Sequence, residues 1–130
     1  MNADVENDDL ESEYAKLKGT IEAAGFFATI ENDSLIDGRS HRVTCASLRR
    51  PHGGYTGNSF WVALRAGHWY LGTWGSWIYF IPKTACVADV CIAWMTLNPT
   101  KTVTDIPDSL KQQFRLMPKT EDEFDEFKRP

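Results

Sequence analysis

The chain has 130 residues, the size of a single domain that can bury a self-sufficient core, and its composition of 42% hydrophobic and 25% charged residues excludes a fibrous or largely disordered protein. A net charge of −4 and a sequence pI near 5.3 argue against a general affinity for nucleic acid. Three Cys are too few for a disulfide framework, the acidic start lacks a secretory signal, and no segment reaches the roughly 18 apolar residues of a membrane span, so we expect a cytoplasmic protein that does not contact a membrane.

The first part of the chain predicts one helix followed by two strands. Apolar residues recur every three or four positions between residues 8 and 24, and Gly25 stands where a helix stop is expected. Segments 26–32 and 41–50 have the composition of strands. The next segment, RPHGGYTGNS, contains three Gly and one Pro and therefore predicts a loop.

Two hairpins are predicted after this loop. Ala66-Gly67 and Gly75-Ser76 are taken as two-residue turns, and Gly75 is expected at a positive φ. The register that these turns impose predicts one apolar face, which forms the core. This core face holds Phe60, Val62, Leu64, Trp69, Leu71, Thr73, Ile78 and Phe80. The opposite face, called the second face below, is predicted to hold Trp61, Ala63, Arg65, His68, Tyr70, Gly72, Trp74, Trp77, Tyr79 and Ile81.

The same register places a glycine between two large rings. Trp61 and Tyr79 are the predicted cross-strand neighbours of Gly72, and both rings can cover a residue that has no side chain of its own.

The last part of the chain predicts two helices and a tail. The first helix spans residues 85–97 with Thr84 as its N-cap, and a shorter amphipathic helix spans residues 107–117. The predicted fold is α+β, an antiparallel meander of about five strands with N-terminal and C-terminal helices packed on one face. Residues 1–118 form its single domain, and residues 119–130 are an acidic tail that we expect to be mobile.

No sequence pattern predicts a catalytic, metal or cofactor site, which favours a protein that is not an enzyme. Walker-type loops, GxSxG, HExxH and CxxC are all absent from the sequence. Cys86 and Cys91 are five residues apart on a helix and face different directions, and Cys45 and Cys91 are expected to pack in the core. The three His could form a site only if the fold brought them together.

Charge and aromatic residues concentrate in the middle of the chain. Residues 39–83 carry six cations and no acid, and they hold all three His and four of the five Trp, between flanks with net charges of −8 and −2. Trp, Tyr and Arg dominate protein–protein hot spots, and the glycines of the loop could let backbone N–H groups approach an anion. The candidate binding residues are therefore Trp61, Arg65, His68, Tyr70, Trp74, Trp77 and Tyr79 on the second face, with Arg49, Arg50 and His52 in the loop.

These residues predict a small binding protein whose partner is another protein or a second copy of the chain. A small-molecule or anionic-ligand protein with a pocket between sheet and helices, with or without hydrolytic activity, is the first alternative, and a single-stranded nucleic-acid binder is the second. Whether the second face is open or covered by residues 107–117 is left open by the sequence. The pattern WYLxTW…IYxIP resembles small bacterial α+β proteins, and this resemblance implies no particular function.

Overall fold

A computed structural model describes residues 3–33, 40–74, 77–101 and 104–120 of the chain. Within these residues the strands form one six-stranded antiparallel sheet in chain order, which confirms the predicted α+β meander with one strand more than expected. None of the described helices is both long and apolar enough to cross a membrane. The elements are α1 (Ala3–Ala23), β1 (Phe27–Asp33), β2 (Ser40–Arg49), β3 (Tyr55–Arg65), β4 (His68–Gly72), β5 (Ile78–Ile81), α2 (Val87–Leu97), α3 (Asp108–Phe114) and β6 (Met117–Lys119).

All three helices contribute to one core. Tyr14 of α1 and Leu110 of α3 belong to the same buried cluster as Trp94 of α2, whose indole stacks on Phe60 of β3 with ring centroids 4.6 Å apart. The predicted core role of Cys91 is confirmed, because this thiol is fully buried in the cluster. Since α3 joins this cluster, residues 107–117 do not form the predicted alternative cover of the second face.

The C-terminal helices are shorter than predicted. α2 begins at Val87 with Cys86 as its N-cap, so the prediction of Thr84 in that position was wrong. α3 ends at Phe114, where Arg115 takes a left-handed conformation with a φ of 56°. The chain then turns into β6, which pairs with β5 and joins the last residue of the predicted helix to Lys119, the first residue of the predicted tail. Residues 121–130 of the predicted tail lie outside the described residues.

A bulge in β2 shortens the predicted loop after it. The register between β2 and β3 shifts between Ala46 and Leu48, so β3 begins at Tyr55 and the connection is only residues 50–54. The Ser47 hydroxyl accepts the Asn58 N–H at 2.8 Å and donates to the Pro99 carbonyl at 2.7 Å. These bonds tie the chain after α2 to the irregular part of the sheet.

The predicted hairpin between β3 and β4 is confirmed. Ala66 and Gly67 have φ values of 51° and 79°, the two positive values that a type I′ turn requires. Trp61 is paired with Gly72, and a Cβ added at Gly72 would overlap the Trp61 ring. The indole therefore covers the glycine as the sequence predicted.

The predicted register between β4 and β5 is wrong by one residue. Gly72 pairs with Ile78 instead of Tyr79, and Thr73 donates its N–H to the Trp77 carbonyl at 2.9 Å. The connection therefore has three residues, 74–76, instead of two. Gly75 and Ser76 lie outside the described residues, so the φ predicted for Gly75 is not tested. Because side chains alternate along a strand, this shift exchanges the faces of β5.

Candidate binding face

The second face has a polar half and an apolar half. The apolar half spans β3 to β5, where Ala63, Tyr70 and Ile78 form a small buried cluster and the half-buried rings of Trp61 and Phe80 pack against it. The polar half spans β1 to β3 and ends at Trp74. Strand alternation and the observed pairings place on it Thr29, Glu31, Arg42, Thr44 and Ser59.

Trp74 is held over the polar half by two contacts. Its Nε1 donates to the Ser59 hydroxyl at 3.0 Å, and the Arg42 guanidinium carbon lies 5.5 Å from the centroid of its ring. Arg42 is itself oriented by Glu31, whose carboxylate accepts its Nε–H at 2.8 Å. A surface cation–π contact stabilises by about 0.5–1 kcal/mol and a hydrogen bond by about 1 kcal/mol. The ring is thus positioned while 49% of Trp74 remains exposed.

Hydroxyl groups line the same half. The Thr29 hydroxyl lies 2.5 Å from the Tyr55 hydroxyl, and the Tyr55 ring stacks on Phe27. The Thr44 Oγ1 atom is buried and has no hydrogen-bond partner among the described residues. A buried hydroxyl without a partner is destabilising. The polar half therefore combines an exposed ring, an oriented cation and hydroxyl groups on a rigid sheet.

The three candidate residues of the loop are exposed at one end of the sheet. Arg49, Arg50 and His52 are all solvent-exposed. The loop backbone is partly occupied, because Arg50 N–H donates to the Gly54 carbonyl and Gly53 N–H donates to the Arg50 carbonyl. These internal bonds leave fewer N–H groups for an anion than the glycine content of the loop predicted. The loop therefore presents its side chains more than its backbone.

Three predicted candidates do not present an exposed side chain on the second face. Tyr70 is on this face but is only 2% exposed. Arg65 is 7% exposed, and its Nη1 donates to the Leu64 carbonyl at 3.1 Å and lies 3.5 Å from the Tyr14 hydroxyl. Tyr79 lies in the core on the helix side because of the register shift. The predicted place of Tyr79 on the second face was therefore wrong, and Tyr70 and Arg65 are buried.

The other predicted residues differ in their surroundings. Trp77 is 52% exposed beside the β4–β5 connection, and its N–H donates to the Thr73 hydroxyl at 3.1 Å. His68 is half-buried, its ring centroid lies 5.1 Å from that of Phe80, and its Nδ1 has no partner among the described residues. The structure thus brings Trp74 and Trp77 to one end of the sheet, whereas Arg65 and His68 lie at the other end, beside the β3–β4 turn.

Tyr79 belongs to a polar network beneath α3. Its hydroxyl donates to Asp105 Oδ1 at 2.5 Å, and Lys111 Nζ binds the other oxygen of Asp105 at 2.9 Å and lies over the Tyr79 ring. Burial and the bond to Asp105 raise the pKa of Tyr79. Burial opposes the charged form of Lys111, but its bonds to Asp105 and Tyr79 outweigh this effect and raise its pKa. The network fastens α3 to β5 and is an element of stability.

A cavity of about 470 Å³ lies between the start of α2 and the end of α3. Its lining includes Thr84, Cys86, Asp89, Gln113 and Arg115, and no lining residue belongs to the sheet. The predicted small-molecule pocket between sheet and helices is therefore not at this place. Within the described residues, no three His, Cys, Asp or Glu side chains gather closely enough to hold a metal ion.

Sequence reasoning missed the supports of Trp74. Glu31, Arg42 and Ser59 come from three different strands, and only the pairings of β1 with β2 and of β2 with β3 bring them together. The alternation of residues 42, 44 and 46 along β2 carried part of this signal. The bulge at Ala46–Leu48 breaks the alternation immediately afterwards.

Comparisons with known proteins found no matching family model, no matching curated protein and no matching solved structure.

Proposed function

We propose that the chain is a binding protein that holds a protein partner on the polar half of the second face, with Trp74 as the anchor. The observation that carries this proposal is the half-exposed indole fixed between Ser59 and Arg42. Trp and Arg are enriched among residues that dominate binding free energy. A ring that is already positioned loses little conformational freedom on binding, which favours affinity.

The surroundings of Trp74 suit a protein better than a nucleic-acid strand. A strand needs several open rings and a run of cations, whereas one face of Trp74 is occupied by Arg42, whose charge is balanced by Glu31. The half-buried Ser59 hydroxyl, which accepts the Trp74 Nε1–H, can donate a directional hydrogen bond at the margin of a protein interface.

The proposal is tested with four forms of the full-length protein: wild type, Trp74→Ala, Ser59→Ala and Ile30→Ala. Ile30 is the matched control, because it is also exposed, at 37%, but lies on the opposite side of the sheet, with Ala28. Cross-linking in cell extract followed by mass spectrometry identifies neighbours, and sedimentation measures self-association. We expect Trp74→Ala to weaken a partner or dimer contact by about 30-fold, the effect of a hot spot of about 2 kcal/mol.

Ser59→Ala separates ring position from ring area. This variant keeps the indole but removes the bond that fixes it, so we expect a smaller loss of affinity than in Trp74→Ala. Ile30→Ala should bind as the wild type does. The proposal is wrong if every cross-linked neighbour and any self-association are the same in Trp74→Ala and Ile30→Ala. Binding of single-stranded oligonucleotides that weakens steeply with salt would favour nucleic acid instead.

A second candidate function is binding of a small polar molecule in the cavity at the start of α2. The observation that favours it is a volume of about 470 Å³, which falls in the usual range of ligand sites, together with its mixed polar lining. Gln113→Trp would fill the cavity from α3. A compound that raises the melting temperature of the wild type but not of Gln113→Trp would support this function.

A further inference from the structure

One end of the molecule gathers exposed apolar side chains and cations. β2 ends here, and the connection between β4 and β5 lies at the same end, because Thr73 bonds Trp77 while Trp74 bonds Ser59. The end of α2 joins them, since the Pro99 carbonyl binds Ser47. We call this region the basic end and define it by Leu48, Arg49, Arg50, Trp74, Trp77 and Leu97.

The apolar members of the basic end are unusually open. Trp74, Trp77 and Leu97 are each about half exposed, and Leu48 is 39% exposed. The described residues include six highly exposed large hydrophobic side chains, and four of the six lie at the basic end. Several large apolar side chains exposed at one end of a molecule are consistent with an interaction site.

The charge at the basic end has one sign. Strands β2 to β5 and the connections between them contain no Asp or Glu. Arg49 and Arg50 form no ion pair with any described carboxylate, whereas Lys16, Lys18, Arg42 and Lys111 each pair with one. Lys101, two residues after Pro99, adds a further exposed cation. Within the described residues no carboxylate neutralises these arginines, so we expect a ligand of the basic end to carry negative charge.

We infer that the basic end binds an acidic segment of a partner protein that also carries aromatic side chains. This inference rests on the proposed function, and it names the chemistry of the partner and extends the contact from Trp74 around the end of the sheet to Trp77. Carboxylates of the segment pair with Arg49 and Arg50, while its rings cover the exposed indoles. A nucleic-acid strand fits less well, because its affinity depends on neutralising many successive phosphates, and the described part of this end offers only the cations Arg49, Arg50 and Lys101.

The probe is the fluorescein-labelled heptapeptide EDEFDEF, and fluorescence anisotropy measures its affinity for the full-length chain. Two matched peptides separate the contributions, since QNQFNQF lacks the charges and EDESDES lacks the rings. We expect both to bind at least tenfold more weakly than EDEFDEF. The chain carries the same heptapeptide at residues 121–127, so a second full-length form removes any competition. Its changes are Glu121→Gln, Asp122→Asn, Glu123→Gln, Asp125→Asn and Glu126→Gln.

Substitutions then locate the contact. The double change Arg49→Ala with Arg50→Ala should weaken binding about 2- to 30-fold, as expected for two exposed charge pairs, and Trp77→Ala should weaken it about tenfold or more. The control is Lys16→Ala with Lys83→Ala, which removes the same charge elsewhere and should change the affinity less than twofold.

Three results would overturn the inference. They are failure of EDEFDEF to bind either form of the chain at millimolar concentration, equal losses in the two double variants, and displacement of the peptide by a single-stranded oligonucleotide at moderate salt. Failure of the peptide while Trp74-dependent capture of a partner persists would reject the partner chemistry and leave the proposed function standing. If Trp74→Ala captured partners as well as Ile30→Ala did, the proposed function would be rejected even if the peptide bound.

Discussion

Replacing Tyr79 by Ala should destabilise the protein far more than replacing its neighbour Phe80 by Ala. Tyr79 is 2% exposed in the main core, so deletion of its ring removes a fully packed aromatic side chain and costs about 3–5 kcal/mol. Phe80 is half-buried against the small cluster of the second face. Because part of its ring is already in water, we expect a loss of roughly 1–2 kcal/mol.

Tyr79→Phe isolates the hydroxyl and keeps the variant folded. It removes the bonds of the hydroxyl to Asp105 and Lys111. The bond to Asp105, at 2.5 Å, joins a phenol to a charged acceptor, and such a bond contributes about 1.5–3 kcal/mol. Urea unfolding followed by circular dichroism gives the three free energies of unfolding. A domain of this size has a total stability of about 5–15 kcal/mol, so each difference is measurable.

The refuting result is a reversed order. If Phe80→Ala cost as much as Tyr79→Ala or more, β5 would present Phe80 to the core. That is the register of a two-residue turn at Gly75-Ser76, and the three-residue connection described here would be wrong.

Local turn chemistry explains why one hairpin was predicted correctly and the next was not. At Ala66-Gly67 both residues adopt the left-handed conformation that the turn type needs, so sequence and structure agree. Gly75-Ser76 carries a similar signal, but Thr73 bonds Trp77 through its backbone and its side chain and closes a longer connection. A single threonine hydroxyl is not visible as a turn signal in the sequence. Its effect is large, since one residue of slip moves a whole strand face.

Long-range contacts account for the other differences. The segment YTGN reads as loop because of its glycine and polar residues, yet it is the start of β3. There the Asn58 N–H donates to the Ser47 hydroxyl and its side-chain Nδ2 donates to the Trp94 carbonyl. β6 is only three residues long and contains Pro118, so it has no strand pattern of its own. Its place is set by pairing with β5.

The candidate site was predictable in its residue types and less so in its geometry. Composition singled out Trp74, Trp77, Arg49 and Arg50, and all four are exposed. Arg65 was assigned by alternation alone. At the end of β3 its long side chain instead reaches the Tyr14 hydroxyl of α1, a contact between elements that are 51 residues apart.

Three further predictions follow from buried groups. Gly72→Ala should cost about 1–3 kcal/mol in urea unfolding, because the new Cβ would overlap the Trp61 ring and force it to move, and a loss below about 0.5 kcal/mol would contradict that packing. A thiol reagent should label one Cys per native chain, Cys86, and all three after denaturation, since Cys45 and Cys91 are buried; rapid labelling of two would contradict this. Alkaline pH should destabilise the protein. Burial raises the pKa of Cys91 above its ordinary 9.0 and that of Tyr79 above 10.0, so both groups stay protonated in the folded chain at a pH where the unfolded chain releases their protons. Their contributions to stability are complete below the unfolded pKa and are lost as pH rises toward the folded value. Tyr79→Phe cannot lose this proton. The difference in free energy of unfolding between wild type and Tyr79→Phe should therefore be constant from pH 7 to 9 and shrink above about pH 10, and a difference that stays constant to pH 11 would show that the Tyr79 hydroxyl ionises equally in both states.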